Sequence, residues 1–134
     1  MQIREIHIDE ALMIRKEVMY PNKAVKFAKI ENDDEGKHYG LFNNNQLISV
    51  VSIFIKNNEL QFRKFATLKP YQNKGLGTKL LEFVFQFAIE HHCTAIWCNA
   101  RKNAIGLYKR FGMLEIGEPY LQNDIEYIQM KKEL

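Results

Sequence analysis

The sequence predicts a mixed α/β fold in which helices flank a mostly antiparallel central sheet. Three observations predict it. Segments 37–42, 46–56 and 59–68 have strand character and are separated by Asn43-Asn44-Asn45 and Asn57-Asn58; asparagine tolerates the positive φ that tight hairpins need. Over 75–91, Leu76, Leu80, Leu81, Val84, Phe87 and Ala88 recur at the helical period. A short apolar strand, 94–98, follows that helix, so 59–98 reads as a strand–helix–strand crossover.

The other elements follow in order. Residues 2–7 alternate polar and apolar, as a short strand does. Asp9 is a candidate cap for a helix with an apolar face of Leu12, Met13 and Val18, ending before Pro21. The polar and acidic stretch 22–37 reads as a loop or short helix. In 59–68 the alternation slips: Leu60 and Phe62 share one parity, Phe65 and Thr67 the other. Either a β-bulge or a strand buried on both faces produces that pattern. A second helix, 103–111, stops at Gly112, and Ile116 and 125–130 supply closing strands.

A chain of 134 residues fits one domain with a sizeable core. Its net charge of +3 is not gathered into a run, which argues against nucleic acid as a partner. The longest apolar stretch, 47–55, is broken by two serines and is far too short to span a membrane. The first residues carry no signal-peptide pattern, so Cys93 and Cys98 are expected as free thiols and the protein as cytoplasmic. His91, His92, Cys93 and Cys98 match no zinc-ligand spacing, and no metal is expected. No exposed apolar stripe is evident that would demand a dimer.

The segment Gln72-Asn73-Lys74-Gly75-Leu76-Gly77-Thr78 joins a strand to a helix N-terminus. There, amides without intrahelical acceptors and the helix dipole favour an anion. Two glycines permit close approach of backbone to ligand, and Lys74 adds positive charge. These features describe a pyrophosphate cradle; a tight turn alone would also need the glycines. The dinucleotide fingerprint requires a third glycine where Leu80 stands, and the P-loop requires Gly-Lys-Ser/Thr after four spacers, so neither fits.

The run from Phe65 to Gly77 resembles the GNAT acetyltransferases, whose loop reads Gln/Arg-x-x-Gly-x-Gly/Ala after a strand. Downstream, Ala104-Ile105-Gly106-Leu107-Tyr108-Lys109-Arg110-Phe111-Gly112-Met113 resembles that superfamily's Ala-x-x-Leu-Tyr-x-x-x-Gly-Phe segment. The resemblance implies a single N-acetyltransferase domain over 1–134, with acetyl-CoA as co-substrate and a small-molecule or peptide amine as acceptor. It implies that amides of Gln72, Asn73, Lys74, Gly75, Leu76, Gly77 and Thr78 hold the pyrophosphate. Backbone groups of Ala66, Thr67 and Leu68 would pair with the pantetheine arm, and a bulge near Phe65 would offer an N–H to the thioester carbonyl. Tyr108 would give a proton to the departing CoA thiolate; otherwise it is a half-buried aromatic.

Two positions depart from the pattern. Many relatives place Asn where Arg101 stands, leaving neighbouring Asn103 as the candidate cofactor contact, although a subset carries Asn-Ala-Arg, like Asn99-Ala100-Arg101. Many also carry a basic Glu where Lys64 stands. Among His38, Glu59, Glu118 and Glu126 no general base is singled out, and Arg15, Arg63 and Tyr127 are candidates for the acceptor pocket. The fold also serves non-catalytic acyl-CoA binding, and homodimers are common among such folds, so both remain open.

Overall fold

The computed structural model describes residues 1–134. Strand β1 (Gln2–Ile6) leads into helix α1 (Ile8–Met19), followed by two 3-10 turns, Val25–Ala28 and Asp33–Glu35. Strands β2 (Lys37–Asn43), β3 (Gln46–Lys56) and β4 (Glu59–Thr67) come next, then α2 (Leu76–Glu90), β5 (Ala95–Arg101), α3 (Ile105–Arg110), β6 (Leu114–Gln122) and β7 (Ile125–Glu133). The seven strands are ordered β1-β2-β3-β4-β5-β7-β6. Only β4 and β5 pair in parallel, over Glu59↔Ala95 to Gln61↔Trp97, as the crossover through α2 requires. The mixed α/β architecture with a mostly antiparallel sheet is the one expected.

Three hairpins close on two-residue turns with both residues at positive φ: Asn44-Asn45, Asn57-Asn58 and Asn123-Asp124. Those dihedrals match the twist of antiparallel strands, and asparagine and aspartate reach them at low cost.

The chain packs as two compact units. One comprises Met1–Phe54 and Phe62–Gln86; the other comprises Ile55–Gln61 and Phe87–Leu134. In the first, Ile6, Ala11, Ile14, Phe42, Val50, Ala66 and Leu68 form one buried cluster, against which Tyr71 packs. Helix α2 buries Leu80, Leu81 and Val84 completely within this unit, and Ala88 in the second. In the second unit β7 pairs antiparallel with both β5 and β6, and Ile96, Met113 and Met130 are sealed from solvent.

Helix α1 differs from expectation in two respects. Its cap is His7, whose Nδ1 accepts from the Asp9 amide at 3.2 Å while Glu10 Oε1 accepts from the His7 amide at 3.0 Å. The box satisfies two end donors and places Asp9 inside the first turn, where its charge meets the positive end of the dipole. Its buried face is Ala11, Leu12, Ile14 and Arg15, whereas Met13 is 58% exposed.

In β4, Leu60, Phe62 and Ala66 are buried, as is Leu68 just after it, and only Lys64 of that parity is partly exposed, so the inward parity does not shift. The expected slip appears instead in the backbone. Lys64 holds φ +55° in mid-strand, a left-handed conformation that a lysine adopts only when neighbours impose it. Strand β6 is exposed along its whole length, with Leu114 at 70% and Leu121 at 72%. This apolar exposure corrects the reading that no such stripe exists. The register shift between Ile116 and Tyr120 breaks the period by which it would be recognised.

Candidate active site

The first unit carries the loop. After β4, a 3-10 turn over Lys69–Tyr71 is closed by the Tyr71 amide donating to Leu68 O at 2.8 Å and the Gln72 amide to Lys69 O at 3.2 Å. The Tyr71 hydroxyl donates to Gln46 Oε1 at 3.1 Å. Asn73 and Gly75 then take positive φ, +61° and +76°, which bends the chain into α2. The first amides of a 15-residue helix thus open onto exposed Asn73, Lys74 and Gly75.

The two glycines have different reasons. A Cβ on Gly75 would meet nothing within 4 Å, so glycine there serves the left-handed backbone. A Cβ on Gly77 would lie 2.9 Å from Phe65 Cζ and 3.1 Å from Thr67 Oγ1, so glycine there lets α2 approach β4. Gln72 also has a structural task, since its Nε2 donates to Thr67 O at 2.8 Å and ties the loop to the strand end. Gly77, Gln72, Phe65 and Thr67 are thereby brought into one cluster.

Ser49 was not singled out in the sequence, yet it is wholly buried and organises this strand end. Its hydroxyl donates to Ala66 O at 3.0 Å and lies 2.8 Å from Thr67 Oγ1. The Leu68 amide donates to Ile48 O at 2.9 Å. Ala66 and Leu68 therefore direct these groups toward β3, and strand alternation turns the Thr67 backbone the other way. The available signal was a serine inside an apolar strand.

The second unit carries the downstream motif. Asn103 is exposed in the 3-10 turn Lys102–Ala104, ahead of α3. Tyr108 is only 6% exposed, and its carbonyl accepts from the amides of Phe111 and Met113. Gly112 at φ +90° ends the helix as its position predicts. Burial, and then the neighbouring Cys98, push the Tyr108 hydroxyl pKa well above its ordinary value; burial pushes the Cys98 thiol up to about 12. Both groups stay protonated at neutral pH. Cys93 and Cys98 are buried free thiols, and His91 stacks on Phe87 at 3.8 Å while its Nδ1 lies 2.9 Å from Phe87 O.

Among the acceptor-side candidates, Arg15 and His38 are corrected. Arg15 is fully buried and bound to Asp33, with Nη1 to Oδ2 at 2.9 Å and Nη2 to Oδ1 at 2.8 Å. It also donates to Ala28 O and Ser52 Oγ, so it braces the fold and lines no pocket. His38 is buried, with Nε2 3.0 Å from Asp33 O and Nδ1 2.6 Å from Ser52 Oγ, which leaves neither ring nitrogen for a substrate proton. Glu59 is held by Lys131 at 3.0 Å. Arg63 meets Glu31 at 3.5 Å and Asn32 Oδ1 at 3.2 Å. Glu118 and Glu126 lie exposed on the β6–β7 hairpin, and Tyr127 lines a small recess of the second unit with Lys102, Glu115 and Glu126.

A family model described as an acetyltransferase (GNAT) domain matches residues 9–134. The chain belongs to the GNAT acetyltransferase family. GNAT enzymes use acetyl-CoA, and membership makes the chain an acetyl-CoA-dependent acetyltransferase. It is 29% identical over 129 residues to the uncharacterized N-acetyltransferase YitI of Bacillus subtilis (strain 168), covering 90% of this chain and 87% of that one. Its fold is similar to an acyl-CoA N-acyltransferase from Pseudomonas aeruginosa, with a TM-score of 0.78 and 19% identity over 98% of this chain and 97% of that chain. It is also similar to a Bacillus subtilis acetyltransferase solved in complex with CoA, with a TM-score of 0.76 and 16% identity over 99% and 98% of the two chains. No helix of this GNAT chain is long and apolar enough to cross a membrane.

Proposed function

We propose that residues 1–134 work as one N-acetyltransferase that moves the acetyl group of acetyl-CoA to a primary amine by direct attack in a ternary complex. The observation that carries this reading is the loop at the N-terminus of α2. Left-handed Gly75, Gln72 fastened to Thr67 O, and exposed Lys74 surround the opening amides of a 15-residue helix. That arrangement suits the pyrophosphate of a CoA ester. Amides from Gln72 to Thr78 are the proposed phosphate donors, Asn103 a further cofactor contact, and the strand end Ala66–Leu68 the pantetheine partner. Of that strand end, the Thr67 N–H is the group best turned for the pairing, because Ala66 O and Leu68 N already face β3.

In the proposed step the neutral amine nitrogen attacks the thioester carbonyl carbon. A C–N bond forms, the C–S bond breaks, Tyr108 gives its proton to the departing thiolate, and the surplus amine proton returns through water to the Tyr108 phenolate. The positive φ at Lys64 disturbs β4 next to Phe65, which supports an amide there as donor to the carbonyl oxygen.

The test has two parts. Saturating acetyl-CoA is expected to raise the melting temperature, since at 100 times Kd a ligand adds about 2.7 kcal/mol to stability. Thiol release with an amine present then separates an enzyme from a non-catalytic acyl-CoA binder. No stabilisation would contradict the cofactor assignment, and stabilisation without thiol release on any amine would contradict the transfer.

A further inference from the structure

We infer that the acceptor carries an anionic group near its amine, bound by Lys64 and Lys23 over the aromatic pair Tyr20 and Phe27. This rests on the acetyl-transfer reading above and names the substrate class of that site. Every residue involved belongs to the first unit.

Tyr20 and Phe27 meet edge to face, with centroids 5.1 Å apart and rings at 79°. Lys64 Nζ donates to the Tyr20 hydroxyl at 2.7 Å and lies 5.2 Å from its ring centroid. Lys23 Nζ stands 5.3 Å from the Phe27 ring centroid. Two ammonium groups are thus fixed on one aromatic pair, and neither takes part in an ion pair. Phe27 is 54% exposed, much apolar surface for water to cover unless a ligand does so.

Further lysines flank this surface. Lys26 lies exposed inside the 3-10 turn Val25–Ala28, and Lys29 is exposed at its extended C-cap. Of the carboxylates on either side, Glu17 is exposed on α1, and Glu31 is engaged by Arg63 at 3.5 Å, which also holds its carboxyl below the usual range after its own backbone bond. The position is also apt. Lys64 is the left-handed residue of β4, one residue before Phe65, where the thioester carbonyl is proposed to bind. An acceptor carboxylate or phosphate on Lys64 and Lys23 would lay its apolar part on Phe27 and hold its amine beside the carbonyl carbon.

The same cations favour the chemistry. Like charges nearby disfavour an ammonium and lower the amine's pKa. The acceptor then reaches the thioester as the neutral nucleophile without a carboxylate base in the first unit's site. A polycation meets repulsion from Lys64 and Lys23 there.

Steady-state thiol release on matched acceptors tests this: the dipeptides Asp-Ala against Asn-Ala, Glu-Ala against Gln-Ala, and spermidine. Acetyl-CoA affinity is measured separately by calorimetry on each protein. Wild-type kcat/KM should favour the acidic member of each pair by about tenfold or more, the worth of one charge-assisted hydrogen bond, with spermidine poorest. Lys64→Gln and Lys23→Gln should each shrink that preference several-fold while leaving acetyl-CoA affinity unchanged. Preference for spermidine, an acid preference that survives both substitutions, or cofactor binding with no turnover on any of these amines would overturn the inference while leaving cofactor binding intact. Failure to bind acetyl-CoA would overturn the transfer reading itself and this inference with it.

Discussion

Replacing Tyr108 by Phe is expected to lower turnover by about 10²-fold or more, the usual worth of a positioned general acid, with acetyl-CoA affinity nearly unchanged. The ring is buried at 6% exposure, and phenylalanine refills that volume, so the substitution removes the hydroxyl and keeps the ring packing. Burial, with Cys98 beside it, raises the hydroxyl's pKa well above 10.0, which keeps it protonated and able to donate across the working pH range. In the proposed step it stabilises the sulfur as negative charge develops and gives up its proton only as the C–S bond breaks. The pH–rate profile should accordingly show no falling limb from a phenol near its ordinary pKa. Pre-steady-state thiol release gives the rate, and calorimetry gives the affinity. A rate equal to wild type would remove Tyr108 from the mechanism.

The second large effect concerns the buried pair Arg15–Asp33. Arg15→Met or Asp33→Asn should each cost about 3–5 kcal/mol, because each leaves a buried partner uncompensated. Arg15 is already at the limit of its surroundings, with its Nε the one buried side-chain nitrogen lacking an acceptor. Asp33 gathers two guanidinium bonds and the Ile30 amide at 2.8 Å. Removing both charges, as Arg15→Met with Asp33→Asn, should cost less than the sum of the single changes. Urea denaturation of the four proteins measures this, and additive costs would contradict the coupling.

The pH dependence follows from the same network. Burial is the leading influence on both groups. For Asp33 it opposes ionisation but is outweighed by bonds from Arg15 and Ile30, so the carboxyl stays below 3.8. For His38 burial dominates and holds the imidazole below 6.5. The ring fits as the neutral form: Nε2–H donates to the Asp33 carbonyl, and Nδ1 accepts from Ser52, whose oxygen already receives Arg15. Both folded pKa values are depressed, so the unfolded chain takes up protons first. Stability should be full above about pH 6.5, fall as His38 is protonated, and fall again below about pH 4 as Asp33 follows. His38→Gln should remove the upper step alone.

What could be read from the sequence was local. Asparagine runs reported two of the three tight turns, at Asn44-Asn45 and Asn57-Asn58, because positive φ is a property of the residue itself; the third, Asn123-Asp124, was not singled out. The loop we propose as the cradle could be read from the sequence because Gly75, Lys74 and the helix period of Leu80 and Val84 sit within a few residues of one another. Gly77 was legible as a glycine but not for its reason, since Phe65 and Thr67 reach it only after β4 and α2 pack. Arg15 falls on the apolar period of α1 with Ala11 and Leu12, yet its charge made it look like an exit from that face. Its partners Asp33 and Ser52 lie 18 and 37 residues away, beyond any local pattern. Lys64 was visible only as a departure from a family motif. Its left-handed backbone and its hold on Tyr20, 44 residues away, required the folded chain.

The central claim is that the loop from Gln72 to Gly77 holds the pyrophosphate of acetyl-CoA. Titration of ¹⁵N-labelled protein with acetyl-CoA, followed by amide chemical shifts, tests it most directly. The largest shifts are predicted for Asn73 to Thr78, with a further shift at Thr67. Saturable binding that leaves these amides unmoved while others shift, or no binding at all, would contradict the account.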